Sequence, residues 1–311
     1  MKKIINSERI EGRVYQHNLE MKTVQNKDSA NYGKEFISGT LDVATDEKGL
    51  NVLSIHFTYV VEMTNSGKKN VTFGVLKNII ENGKTWIANG KDEALKVRVS
   101  TALALNDFYT PDDRLVSAKR SEGGFVNVIN ELGKEDERNT FDVDMLITSV
   151  TRVEANEENN IEEDYLTLRG AIFNFRNAIL PVEFTVRDEE GISYFESLDA
   201  SAQNPIFTEV RGKIISTTVK REIKEESAFG TASVRTVDRT TREWCVDWAR
   251  PVEYDFGAED TLTVEEVKKA MEDREVYLAN IKKRRDDYLA TRNSSSTPAA
   301  TASIPTGGFD F

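Results

Sequence analysis

Apolar and polar residues alternate strictly along this chain, and in each half a helical stripe interrupts the alternation once. That pattern constrains the fold more than any other feature, because a period of two belongs to strands with one buried face. In the first half, Ile10, Gly12 and Val14 share a face opposite Arg13 and Tyr15. Ile37, Gly39, Leu41 and Val43 repeat the pattern against Phe36, Ser38 and Thr40. Leu53, Ile55, Phe57, Tyr59 and Val61 make a third inward row, with Ser54, His56 and Thr58 outward. The period then changes. Asn70 is a good N-cap, and Val71, Val75, Leu76, Ile79 and Ile80 form a helical stripe closed by Gly83. Alternation resumes at Leu95, Val97 and Val99. A last strand pair surrounds the turn Thr110-Pro111-Asp112-Asp113 and continues to Ile129.

The same order returns after the charged stretch Gly133 to Arg138. Phe141, Val143, Met145 and Ile147 alternate with Asp142 and Asp144. Tyr165 to Phe175 places Leu166, Leu168, Gly170 and Ile172 on one face and Arg169, Ala171, Phe173 and Phe175 on the other. Ile179 to Arg187 is a third strand, which Pro181 pushes toward an edge. A weak helical segment over Asp188 to Ala200 follows, then long strands from Phe207 to Arg221 and Ser233 to Trp248. Three strands, a helix and two strands is the order of the OB-fold, a five-stranded Greek-key barrel. The expected fold class is therefore mainly β: two OB-fold-like barrels over 1–139 and 140–257. A C-terminal helix over 258–292 follows, opened by the capping box Thr263-Val264-Glu265-Glu266. Its near-heptad seam suits packing on its own domain first and self-association, as a homo-oligomer, second. Residues 293–311 read as a flexible tail of Ser, Thr, Ala, Pro and Gly with an aromatic and acidic tip.

Composition bounds the function. The chain has 311 residues, 39% hydrophobic and 30% charged, enough apolar material for real cores, and no run approaching the roughly 20 apolar residues of a membrane span. Met1-Lys2-Lys3 lacks the apolar stretch that a signal peptide needs, so a cytoplasmic location is expected. The net charge of −12 argues against tight duplex binding over a broad basic face. The acidity is uneven, however. Residues 1–139 carry 20 basic and 20 acidic side chains, whereas 140–256 carry 13 and 23. Within that acidic half, Arg211 to Arg242 holds eight basic and four acidic residues.

Catalytic constellations are wanting. The two histidines, His17 and His56, have no partner at metal-ligand spacing, and Cys245 is the single cysteine. Asp142 and Asp144 share a strand face, where exposed acids are far commoner than metal ligands. No phosphate-cradling glycine loop or nucleophile elbow is present. The expectation is a protein that is not an enzyme and takes no cofactor and no metal.

Sequence-tolerant single-strand binding needs π-faces for bases and cations for phosphates, without fixed spacing. The first half offers Arg13, Tyr15 and Phe36 on outward faces, Lys22, Lys27, Tyr32 and Lys34 in the first long loop, and Tyr109, Lys119 and Arg120 around the last one. The second half offers the stripe Arg169, Phe173 and Phe175, with Arg176 beyond it. Arg235, Arg239 and Arg242 form a further series. The neutral first half is expected to carry more of the affinity. Burial between the two units, or under the C-terminal helix, is the bland alternative for Phe36 and Phe173.

Several strings extend this reading: Asn106-Asp107-Phe108-Tyr109, Lys119 to Asn127 (KRSEGGFVN), Leu180 to Val186 (LPVEFTV), Glu226 to Gly230 (ESAFG) and Arg242-Glu243-Trp244. Through them the chain resembles single-stranded DNA-binding proteins of tailed bacteriophages. The resemblance implies protection of single-stranded DNA in replication or recombination, in the host cytoplasm. The tip Phe309, Asp310 and Phe311 is similar to the partner-docking tails of bacterial single-stranded DNA-binding proteins, although the usual acidic run and Pro-Phe ending are absent. It implies replication or recombination proteins as partners. A β-rich phage structural or assembly protein without nucleic-acid binding is the competing expectation, and an OB-fold module for carbohydrate is a third.

Overall fold

The computed structural model describes residues 4–29, 31–64, 66–156, 161, 163–224, 234–252 and 262–295; the side chains of 217–224, 234–241 and 292–295 lie outside that description. The chain is mainly β with a C-terminal helix. The first half contains β1 (Asn6–His17), β2 (Glu20–Thr23), β3 (Glu35–Ala44) and β4 (Val52–Val61), then helices α1 (Val71–Asn82) and α2 (Trp86–Asn89), then β5 (Lys96–Tyr109) and β6 (Leu115–Val128). The second half contains β7 (Asn139–Val153), β8 (Tyr165–Phe173), β9 (Ile179–Val186), α3 (Glu189–Ser197), β10 (Ile206–Lys224) and β11 (Val234–Ala249). Helix α4 (Val264–Ser295) ends the described chain.

Pairing closes each half on itself. β1, β3, β4, β6 and β5 form one five-strand ring, completed by the β1–β3 and β1–β5 pairings, and β4 runs parallel to β6. β7, β8, β9, β11 and β10 form a second ring in the same order, with β9 parallel to β11. We call these ring 1 and ring 2. They join through their first strands: β1 pairs antiparallel with β7, from Asn6↔Val143 to Ile10↔Asn139. The Asn6 side-chain amide donates to the carbonyls of Leu103 and Phe173, 3.0 Å each, bridging the rings at the junction.

The expected inward rows fill the main core, including Ile10, Leu41, Ile55, Val97, Phe141 and Leu168, and Trp244, whose face the alternation did not assign, joins them. Asn70 caps α1 through the Thr72 amide (3.1 Å), and Gly83 ends the helix. The capping box at α4 is reciprocal: the Glu266 amide donates to Thr263 Oγ1 (3.2 Å), and the Thr263 amide donates to Glu266 Oε2 (3.0 Å). Gly170 is needed for close approach, because a Cβ there would sit 1.9 Å from the Leu146 carbonyl oxygen across the β7–β8 pair.

Two face assignments change. Tyr59 was expected inward but is 44% exposed, because pairing jumps from Ile37↔Val60 to Gly39↔Phe57. That bulge turns the end of β4 outward. Phe173 was expected on an open face, yet it is 1% exposed. It packs with Leu146, Ala171, Ile179 and Phe207 under Leu262, Val267 and Ala270 at the start of the C-terminal segment. Pro181 sits where β9 is locally an edge: β8 flanks it on one side, and the parallel pairing with β11 on the other is confined to Thr185 and Val186.

Helix α4 also reaches ring 1. Arg274 Nη2 meets Asp107 Oδ1 at 2.9 Å, with side-chain exposures of only 11% and 2%. Arg285 and Lys282 close on Asp113 at 2.9 and 2.7 Å. One helix thus covers part of ring 2 and fastens the β5–β6 hairpin of ring 1.

Candidate nucleic-acid interface

The outer face of β2, β3 and β4 brings aromatic and cationic side chains together. Phe36 points away from the buried Ile37, opposite Lys22 of β2 and Val61 of β4 in register. The bulge that exposes Tyr59 places its ring 4.8 Å from that of Phe36, tilted by 42°. Lys22 is half-exposed and pairs loosely with Glu20 at 3.3 Å. Lys27, Tyr32 and Lys34 are exposed on the loop joining β2 to β3. The sequence pattern missed Tyr59, which counted as core. It also missed Met63, Lys68 and Lys69, exposed just beyond β4, where Met63 bridges to Lys69.

Arg13 and Tyr15 of β1 are half-buried. Tyr15 lies 5.9 Å from Trp86 of α2, a residue the sequence pattern did not single out, and Lys91 sits 5.7 Å over the Trp86 ring. Lys91 is itself held by Glu47 at 2.8 Å.

The last loop of ring 1 contributes less than expected. Tyr109 carries Lys282 and Arg285 of α4 over its ring, each at 5.7 Å, so its π-face is already occupied by cations. Lys119 donates to the Glu183 carbonyl of ring 2 and lies 5.1 Å from the Trp244 ring. Burial lowers its pKa, against the pull of Glu183 and Glu243. Arg120 pairs with Glu122 at 3.0 Å. Lys119 thus ties ring 1 to ring 2, whereas Arg120 is spent on its own strand.

Ring 2 is similarly reduced. Phe173 is buried and unable to stack a base, because α4 covers the face that the alternation left open. Arg169 remains exposed but pairs with Glu183 at 2.9 Å. Phe175 and Arg176 lie on the β8–β9 turn, beyond the end of β8. Phe175 is 87% exposed, with the Arg176 guanidinium 5.1 Å over its ring. Arg235 and Arg239 fall among residues whose side chains are not described, and Phe309, Asp310 and Phe311 lie outside the described residues.

A polar cluster at the junction was not anticipated. Glu8 is 2% exposed on the core face of β1 and accepts a hydrogen bond from Ser121 Oγ at 2.9 Å, while its Oε2 has no hydrogen-bond partner among the described residues. Arg242 of β11 lies within electrostatic reach of Glu8, Asp42 and His56. Burial, then Arg120 and Arg242, lower the His56 pKa. Burial raises the Glu8 pKa to about 7, opposed by Ser121 and Arg242. Between the ordinary value of 4.5 and about 7, the folded chain keeps a proton that the unfolded chain has released. Stability therefore falls as pH rises through that window, by up to about 3 kcal/mol. Glu8→Gln is expected to stabilise the protein by about 2 kcal/mol at pH 8 and to do little at pH 4.5. Urea unfolding at the two pH values checks this; equal shifts at both would show that the carboxyl does not titrate in the window.

Comparison with known proteins places the chain as follows. A family model described as YorF matches residues 5–284. No curated protein matches. Among solved structures, a deletion mutant of the single-stranded DNA binding protein from Thermus aquaticus aligns at 11% sequence identity with a TM-score of 0.47, covering 83% of this chain and 100% of that one. Among the described residues, no helix is long and apolar enough to cross a membrane, and no group of His, Cys, Asp and Glu is arranged to hold a metal ion.

Proposed function

The chain belongs to the YorF family, and we propose that it is a non-enzymatic protein that binds single-stranded DNA without sequence preference, using the outer face of ring 1. The Phe36–Tyr59 pair carries this reading: an exposed tyrosine and a half-buried phenylalanine with ring centroids 4.8 Å apart on a strand surface beside Lys22. Base–aromatic stacking tolerates any sequence, and the flanking lysines supply the phosphate contacts. We read the two rings as OB-like domains over 1–139 and 140–257, since five strands with a helix after the third is the OB order. In that fold the face of strands 2 and 3 commonly binds oligonucleotides. In ring 1 those strands are β3 and β4, which carry the platform. In ring 2 they are β8 and β9, where α4 covers one end of the outer face. The resemblance to phage proteins places this activity in DNA replication or recombination in the host cytoplasm, and the tip Phe309, Asp310 and Phe311 as a docking point for partners of that process.

The test is fluorescence-anisotropy binding of the full chain to labelled oligothymidine, with a duplex of equal length as control, over a series of salt concentrations. Single-strand binding should far exceed duplex binding. Neutralising one phosphate each through Lys22, Lys27, Lys34, Lys68 and Lys69 predicts a slope of log K against log salt of about −3.5, at about −0.7 per single-strand phosphate. Absence of binding at low salt would overturn the proposal and favour the assembly reading. A slope near zero would remove the lysines from it.

A further inference from the structure

Ring 2 carries a cavity remote from the ring 1 platform, of about 350 Å³, between the start of α3 and the end of β11. Its walls are largely apolar and aromatic, with Tyr194, Phe195 and the 41% exposed Trp248 among them. Asp188, Glu190 and Asp247 supply its charge, and no basic residue lines it. Asp188 is spent on capping α3, accepting from the Glu190 and Gly191 amides at 3.0 Å each. Glu190 and Asp247 form no ion pair among the described residues. Burial raises the Asp247 pKa, and Asp142 and Asp188 add to the rise against Lys213. The cavity thus combines apolar walls with two carboxylates, Glu190 and Asp247, outside any ion pair among the described residues, Lys213 acting on Asp247 from beyond ion-pair distance.

The neighbouring surface shows which cation suits such a setting. Arg211, which does not line the cavity, holds its guanidinium 4.3 Å from the centroid of the Trp248 ring while pairing with Asp142 at 2.7 Å and Glu209 at 2.8 Å. A planar guanidinium stacks on indole and forks to carboxylates, whereas an ammonium does neither as well. Phosphate is disfavoured here by the same acids. We propose that this cavity receives an arginine side chain from a basic segment of a protein partner. The aliphatic stem would lie on Tyr194 and Phe195, and the guanidinium would meet Glu190 and Asp247 beside Trp248.

The probe is a capped hexa-arginine peptide titrated into the full chain, read through the indole ¹⁵N–H resonances, with Trp248 assigned by Trp248→Phe. The Trp248 resonance should move while those of Trp86 and Trp244 stay, and capped hexa-lysine should bind about 10-fold more weakly. Glu190→Gln with Asp247→Asn should weaken hexa-arginine binding at least about 10-fold. The charge-matched control Glu81→Gln with Glu131→Gln, on ring 1, should change it less than about 2-fold. Asp188 is left intact in every variant, so that the α3 cap is kept. Equal losses in the two double variants would mean attraction to net charge and would overturn the proposal, as would a Trp248 resonance that does not move. None of these readouts depends on DNA binding, so this proposal and that one fail separately.

Discussion

Replacing Phe36 and Tyr59 together with alanine should weaken oligothymidine binding by at least roughly 30-fold, since alanine substitution of a stacking aromatic costs about 1–3 kcal/mol per base. The two rings touch each other and share one surface, so their losses should not simply add. Both lie on the outer face of the sheet: Ile37 and Phe57, not they, fill the core beneath. The double variant should therefore melt close to the parent, which separates a binding defect from misfolding. Phe175→Ala makes the comparison for ring 2. That side chain is more exposed than either platform ring but sits on a turn with only Arg176 over it, so its loss should cost less than about 3-fold. Anisotropy titrations of the two variants decide the matter. If Phe175→Ala is the damaging change, the strand path belongs to ring 2 and the platform assignment is wrong.

Arg274→Ala should destabilise the fold by about 3–5 kcal/mol, the usual cost of breaking a buried ion pair from one side. Arg274 and Asp107 are both almost fully buried where α4 crosses from ring 2 to ring 1. Arg274 also donates to the Ile179 carbonyl at 3.4 Å, and Asp107 accepts from Ser117 Oγ at 2.6 Å. Alanine would strand a carboxylate that only the serine still satisfies. Adding Asp107→Asn should recover part of the loss, because the stranded charge is then removed. The exposed Lys282–Asp113 pair differs: Lys282→Ala should cost less than about 1 kcal/mol. Urea unfolding of the three variants gives the order, and a loss under about 1 kcal/mol for Arg274→Ala would show that the helix is not anchored there.

Much of the fold was legible because strands with one buried face leave a period-two trace. The inward rows around Ile10, Leu41, Ile55 and Leu168 are core, and the caps at Asn70 and Thr263 are where local hydrogen bonding puts them. Alternation could not locate the bulge between Ile37 and Gly39, so it put Tyr59 on the wrong face. Nor could it reveal what covers an outward face. Phe173 and Phe36 look alike in the sequence, and only tertiary packing buries the first under α4. β2, four residues long, leaves too little period to read. Residue type was a poor guide to which cations are free, because Lys119 and Arg169 found Glu183 on another strand and Arg120 found Glu122 two residues along its own. Glu8 was missed for a related reason: a glutamate in a strand reads as solvated, and only the approach of a third strand encloses it.

β1 has three partners, and the chain makes them in a fixed order. It pairs with residues of β3, then β5, and lastly with Asn139 to Val143 of β7. During synthesis it emerges before all three partners, so part of its backbone waits while more than a hundred further residues follow. An unpaired strand is a template for the wrong neighbour, and long-range pairing is slow to reward. Glu8 and Arg9 lie within the stretch that waits longest. Charges there make an intermolecular sheet costly while the edge is open, so the acid that the finished fold buries at some expense would protect the nascent chain.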